Sequence, residues 1–309
     1  MHSELERLFD LRVHGSERPP DRSELLAGAK GCAGLLTMLS DQVDEELLVA
    51  AGEELRVVAN YAVGYDNVDV EAATRRGVLV ANTPGVLTEA TAELAIALML
   101  ALSRRVCEGD RFLRSGESWT WAPTFMLGST LRGRTLGIVG LGRIGSEVGR
   151  LGRELGMRVV YTAPGGSRPS PYEWLPLPEL LDRSDVVSLH CPLLPETRHL
   201  IGREEIRAMR RDAFLVNTAR GPIVDEDALV EGLGAGEIAG AALDVFEHEP
   251  AVHEGLLDLD NVVLTPHLGS ATHETRRDMG MLCVSALKNV LLEDRVPENV
   301  VNPQAVSLS

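Results

Sequence analysis

Apolar positions along the chain alternate between two rhythms. The runs Gly34–Ser40 and Leu55–Gly64 read as buried strands that lead into loops. Leu5, Leu8 and Phe9 sit at helical spacing, and the segment from Val68 gives a short helix, a strand and a stop at Pro84. The spacing predicts one long helix over Thr88–Arg104, capped by Thr88, with Thr91, Leu94, Ala95, Leu98 and Leu102 marking a face. That helix is nearly apolar all round, so it is expected to be buried, between domains or between subunits. Further strands are predicted at Thr135–Val139, Arg158–Tyr161, Val186–His190, Ala213–Asn217, Ala239–Asp244 and Asn261–Thr265, with helical segments between most of them. Six buried strands in this order imply an α/β fold with a doubly wound parallel sheet. A last helix is expected near Ser270–Leu292, then a polar, strand-like tail.

Composition narrows the class. The 309 residues are 44% hydrophobic and 25% charged, which excludes a disordered chain. The formal net charge of −16 repels phosphate backbones and anionic membranes, so neither nucleic acid nor membrane is an expected partner. The apolar run Leu94–Leu102 is about half of the ~20 residues that a membrane span needs. The four cysteines, Cys32, Cys107, Cys191 and Cys283, lie far apart with no metal-ligand spacing. No metal is expected, and reduced thiols suit a cytoplasmic protein.

Candidate chemistry begins at Gly140-Leu-Gly142-Arg-Ile-Gly145, which follows the apolar strand Thr135–Val139 and opens a helix. In that frame the motif reads as a dinucleotide site. Gly140 makes the turn, Gly142 admits a pyrophosphate, and Gly145 lets helix and strand pack. The second strand of such a unit normally ends in an acid for the ribose 2′-hydroxyl. Here Ala163 holds that place, followed by Ser167 and Arg168, so the reading allows a 2′-phosphate. Polar loops then follow three predicted strands: Asn217–Gly221, Leu243–Pro250 and Thr265–Thr272. Reduction of an oxo acid needs a cation for its carboxylate, an acid/base, and a carboxylate that keeps the base protonated.

These motifs, in this order, resemble the D-isomer-specific 2-hydroxyacid dehydrogenases, nearest the glyoxylate/hydroxypyruvate reductases. The likeness runs from Gly34 to Asn302. It implies a Rossmann-type domain over 83–270 and a smaller flavodoxin-like substrate domain made of 1–82 and 271–309. It implies that Arg220 binds the substrate carboxylate and carbonyl, that His267 donates the proton, and that Glu249 pairs with His267. Val63 and Gly64 would offer backbone amides to the carboxylate, and Trp121 would reach a partner subunit's site. Cofactor contacts are implied for Thr91, Gly140, Gly142, Arg143, Ile144, Gly145, Arg168, Cys191, Pro192, Thr197, Thr218, Ala219, Asp244 and Gly269, with Asp244 on the nicotinamide amide.

The expected activity is NAD(P)H-dependent reduction of a short 2-oxo acid to the D-2-hydroxy acid, by a cytoplasmic homodimer. NADP(H) is the preferred cofactor and NAD(H) the second. A phosphoglycerate dehydrogenase-like enzyme and a nucleotide-sensing co-regulator of the C-terminal-binding-protein type are the competing readings. The latter branch keeps the same Arg, Glu and His. A formate dehydrogenase is disfavoured, because that branch has Gln where this chain has Glu249. The family has a strand ahead of its first helix, so a further strand upstream of Met1 is expected, or Asp10–Val13 in its place.

Overall fold

The computed structural model of the protein describes residues 1–16 and 18–308. In chain order come α1 (His2–Leu8), α2 (Arg22–Ala29), β1 (Gly34–Thr37), α3 (Glu45–Ala51), β2 (Val57–Asn60), α4 (Val70–Arg75), β3 (Leu79–Ala81), α5 (Thr88–Ser103) and α6 (Val106–Arg114). Then follow β4 (Thr135–Val139), α7 (Arg143–Glu154), β5 (Arg158–Thr162), β6 (Glu173–Trp174), α8 (Leu177–Arg183), β7 (Val186–Leu189), α9 (Arg203–Ala208) and β8 (Phe214–Asn217). The last are α10 (Glu226–Gly234), β9 (Gly240–Leu243), α11 (Glu254–Leu257), β10 (Val262–Leu264) and α12 (His273–Leu292). The chain divides into two compact units, Met1–Leu87 with Thr272–Ser309, and Thr88–Ala271.

The first unit is built on a parallel sheet in the order β1-β2-β3, with Gly34 opposite Val57 and Val57 opposite Leu79. Successive residues of β2 face opposite ways, the period-2 rule for a strand buried on both faces. Val58 joins a core with Leu47, Leu48, Ala72 and Val80, while Val57 and Ala59 join one with Leu79, Val284 and Leu287. Helix α12 packs on β2. Asp10–Val13 form no strand, so that expected substitute is absent. The tail also departs from the expected strand. Val300 makes one antiparallel bridge to Ala81, and a 3-10 helix, Pro303–Leu308, follows.

The second unit holds a seven-stranded parallel sheet in the order β10-β9-β8-β7-β4-β5-β6. Its strands also alternate between two cores. Val139, Val187, Leu189, Leu215, Ala241 and Leu243 face one layer, and Leu136, Ile138, Val186, Val216, Ala242 and Val263 the other. The first strand, β4, is central, and the chain reverses its direction of winding between β4 and β7. In such sheets ligands bind past the carboxyl ends of the strands at that switch point.

Strand β6 was not foreseen; it is a two-residue edge, too short to carry a period. Helix α5 buries one face within this unit. Thr91, Ala92, Ala95, Leu98, Met99 and Leu102 are buried in the second unit, but Glu89, Glu93, Ala97 and Leu100 are exposed.

Candidate active site

The polar loops after β8, β9 and β10 all leave the carboxyl edge of the large sheet. The first of them is shaped by Asn217, the last residue of β8. Its side-chain oxygen accepts from Ala219 N (3.0 Å) and its amide donates to Arg220 O (2.9 Å). Such a bracket mimics a backbone turn. It fixes the backbone of Arg220, whose Nη1 donates to Ala219 O (2.8 Å).

The loop after β9 presses directly on this one. A Cβ built on Gly221 would lie 1.9 Å from the carbonyl carbon and oxygen of Phe246 and 2.4 Å from Glu247 N. Only glycine fits at that distance. From the other side Glu226, at the start of α10, accepts from Glu247 N (2.8 Å). Glu226 is 5% exposed, and burial pushes its carboxyl up while that N–H opposes the rise. The Phe246–Glu247 peptide is therefore held between the arginine loop and a buried acid. Phe246 N in turn donates to Glu249 Oε1 (3.0 Å).

Glu249 Oε2 meets His267 Nδ1 at 2.8 Å. A carboxylate can only accept, so Nδ1 carries the hydrogen and Nε2 is the nitrogen not engaged by Glu249. Burial pushes the Glu249 carboxyl up, but the His267 hydrogen bond and charge, the Phe246 N–H and the Arg220 charge outweigh it and hold it below its ordinary value. His267 has φ 53°, in the left-handed region. Asp244 maintains that turn. Its fully buried carboxylate accepts from Thr265 Oγ1 (2.6 Å), Leu268 N (2.7 Å) and Gly269 N (2.8 Å), and its carbonyl accepts from His267 N (2.9 Å). Burial raises the Asp244 carboxyl, opposed by those donors and by the His267 charge. Arg220, Glu249 and His267 thus stand on loops cross-braced by Asn217, Gly221, Glu226 and Asp244. Of these braces only Asp244 carried an expected role, and a different one. An Asn directly after an apolar strand is the one signal that could have marked Asn217.

The expected cofactor residues line the same edge. Gly140 (φ 98°) approaches the next strand's end so closely that a Cβ would lie 2.6 Å from Cys191 N. A Cβ on Gly145 would lie 2.2 Å from Gly140 O, whereas Gly142, at the start of α7, faces open space. Arg143 and Ile144 form the first turn of α7, Arg143 exposed and Ile144 packed on the sheet. Thr218 Oγ1 is buried without a hydrogen-bond partner, the mark of a site that expects a polar ligand. Thr91 Oγ1 donates to Gly269 O (3.0 Å) beside Asp244. Burial pushes the Cys191 thiol up to about 11, so it stays a neutral wall. Thr197 is spent on its own loop: its hydroxyl donates to Pro192 O (2.7 Å) and accepts from Leu194 N (2.7 Å). Open space at Gly142 beside a helix start, with an orphaned hydroxyl on a neighbouring loop, fits a dinucleotide.

Val63 and Gly64 belong to the first unit, where Asn82 Nδ2 holds Val63 O (2.7 Å) and Asn60 Nδ2 holds Gly64 O (3.0 Å). Trp121 is 78% exposed. Among the other histidines, His199 and His253 pair with Glu247 (2.6 Å) and Asp227 (2.9 Å). No cluster of His, Cys, Asp or Glu among the described residues could hold a metal ion.

Comparison with known proteins places this geometry. Residues 96–269 match the sequence model of the D-isomer specific 2-hydroxyacid dehydrogenase NAD binding domain. Glyoxylate reductase of Korarchaeum cryptofilum is 47% identical, over 99% of this chain and 93% of its own. That of Aeropyrum pernix is 48% identical, over 98% and 93%. A crystal structure of a Thermus thermophilus protein superposes with a TM-score of 0.91 at 48% identity, over 97% of this chain and 96% of that one. A Sinorhizobium meliloti NADPH-dependent glyoxylate/hydroxypyruvate reductase, in complex with NADP and malonate, gives 0.80 at 35% identity, over 88% and 84%. The chain belongs to the D-isomer-specific 2-hydroxyacid dehydrogenase family.

Proposed function

We propose that the protein reduces a short 2-oxo acid of the glyoxylate or hydroxypyruvate type to the D-2-hydroxy acid. The observation that carries this is the His267–Glu249 pair at 2.8 Å, on loops braced against the arginine loop. A bound nicotinamide nucleotide supplies the hydride. Gly140, Gly142, Arg143, Ile144 and Gly145 would hold its phosphates, and Thr91, Cys191, Pro192, Thr197, Thr218, Ala219, Asp244 and Gly269 line the path expected for the rest. Arg220 binds the substrate carboxylate and polarises the carbonyl. Nε2 of His267 hands a proton to the carbonyl oxygen, while Glu249 holds Nδ1 and so orients the ring. Val63 and Gly64 offer amides to the carboxylate. Their carbonyls are committed to Asn82 and Asn60, which fixes the backbone of this loop within its own unit.

NADPH is the preferred cofactor in this reading. No acid ends β5, where Thr162 and Ala163 stand, and Arg168 is exposed on the loop that follows. The enzyme acts as a homodimer, and Trp121 of one protomer reaches the substrate of the other; its ring is free to do so. No helix of the described residues is long and apolar enough to cross a membrane. The four cysteines are free thiols, and a cytoplasmic location is part of this reading.

The test is oxidation of NADPH with a panel of 2-oxo acids, followed by chiral analysis of the product. Turnover of glyoxylate and of hydroxypyruvate, the latter to D-glycerate, is expected. Tight nucleotide binding with no turnover of any member would favour the co-regulator reading.

A further inference from the structure

The loop between β5 and β6 has an unusual fastening. Tyr161, on β5, is fully buried and packs with Ile138, Val148 and Val159. Its phenol oxygen reaches past the end of the strand to a single residue. It accepts from Arg168 N (2.8 Å) and donates to Arg168 O (3.1 Å). Little else shapes the intervening chain. Gly165 and Gly166 both have φ 81°, and a Cβ on either would touch nothing. Pro164, Gly165, Ser167 and Arg168 are exposed. The Arg168 side chain turns back across this loop, its Nη2 donating to Pro164 O (2.9 Å). At the loop's start, Gly140 N donates to Thr162 O (2.9 Å), so the loop begins beside the glycine turn of the dinucleotide site.

We propose that Tyr161 is a positioning residue for cofactor choice, its hydroxyl fixing the backbone of Arg168 and so the guanidinium that takes the 2′-phosphate of NADPH. This rests on the reading above that NADPH is preferred through Arg168. Two adjacent glycines give the loop many conformations, and freezing them on binding costs affinity. The buried phenol removes that cost in advance, because a core residue cannot move while its hydroxyl grips the arginine. NADH carries no 2′-phosphate, so fixing Arg168 contributes little to its binding. The same hydroxyl therefore acts on the ratio of the two cofactors rather than on turnover as such.

The experiment is the Kd of NADPH and of NADH, read without substrate by quenching of protein fluorescence, together with kcat/KM for each, in the parent, Arg168→Ala and Tyr161→Phe. Phenylalanine keeps the packed ring and deletes only the hydroxyl. The parent is expected to prefer NADPH, and Arg168→Ala to remove most of that preference. Tyr161→Phe is expected to lower the NADPH/NADH ratio by about three- to tenfold, the worth of one or two neutral hydrogen bonds. General loosening of the fold lowers both values together and leaves the ratio unmoved. A parent ratio near one would end the NADPH reading itself. A parent preference that falls in Arg168→Ala but keeps its size in Tyr161→Phe would overturn the role of Tyr161 alone. A preference untouched by either change would overturn it too, and assign the phosphate to another residue.

Discussion

The two oxygens of Glu249 have different tasks: Oε1 ties down its own loop at Phe246 N, and Oε2 holds His267. Glu249→Gln keeps an acceptor for the loop but removes the charge. The anionic partner that orients the His267 ring is then lost, so kcat should fall while nucleotide binding keeps its parental strength. Full activity in the variant would reduce Glu249 to a loop fastener. Stability should respond with a definite sign. The Glu249 carboxyl lies below its ordinary value in the folded protein. Its contribution is complete above the unfolded carboxylate value and is lost as pH falls through the folded one. The difference in Tm between parent and Glu249→Gln should therefore narrow on acidification. For His267, asparagine is the informative replacement, because it tolerates the left-handed φ of 53°. His267→Asn should cut kcat by ~10²–10⁴, the usual worth of a positioned acid; near-normal turnover would remove His267 from the chemistry.

At the scale of elements, the Gly221 contact joins the loops after β8 and β9 into one unit. Gly221→Ala should displace both Arg220 and Glu249. Overpacking of this kind costs ~1–3 kcal/mol, so a lower Tm and a large loss of kcat should appear together. A Gly221→Ala enzyme with parental kcat would show that the loops move independently. The Gly221 contact was not legible beforehand. Strand β4 matched its expected limits, Thr135–Val139, because a strand buried on both faces announces itself as a continuous apolar run. His267, Glu249 and Arg220 were legible because each lies in a short motif just past such a strand. Glu226 was not. An acid at a helix start reads as a partner for the helix dipole, and its bond to Glu247 spans 21 residues that no local pattern connects. Tyr161 read only as strand core, since the reach of its hydroxyl depends on how the next loop folds.

At the scale of the molecule, the surface carries apolar side chains that a monomer would leave wet. Val106, Leu113, Trp119, Trp121 and Leu127 are each more than half exposed, within or just beyond α6. With a net charge of −16, two copies repel at long range, so association has to come from buried apolar area. A dimer of twice the 33.4 kDa chain mass is the expected species in light scattering, and two-fold symmetry is the commonest closure. Leu113→Glu with Leu127→Glu should shift it to the monomer mass. A parent that already scatters as a monomer at micromolar concentration would contradict the assembly. The sequence pointed to α5 together with the Trp119–Trp121 loop for this role; α5 buries Leu98, Met99 and Leu102 inside its own unit and leaves Leu100 exposed, and the loop carries Trp119 and Trp121 into solvent.

The side-chain amides that hold these loops also bear on how the protein ages. Asparagine is among the more perishable residues at high temperature. It decays when the next backbone nitrogen closes a ring onto the side-chain carbonyl, and a following glycine makes that easy. Here Asn60, Asn67, Asn82 and Asn217 precede Tyr61, Val68, Thr83 and Thr218, bulky or β-branched neighbours that hinder closure. Each side chain is also tied by hydrogen bonds and shielded from water. The residues that shape both the Val63–Gly64 loop and the arginine loop are thus chemically long-lived, and slow hydrolysis should spare the loops until the chain itself unfolds.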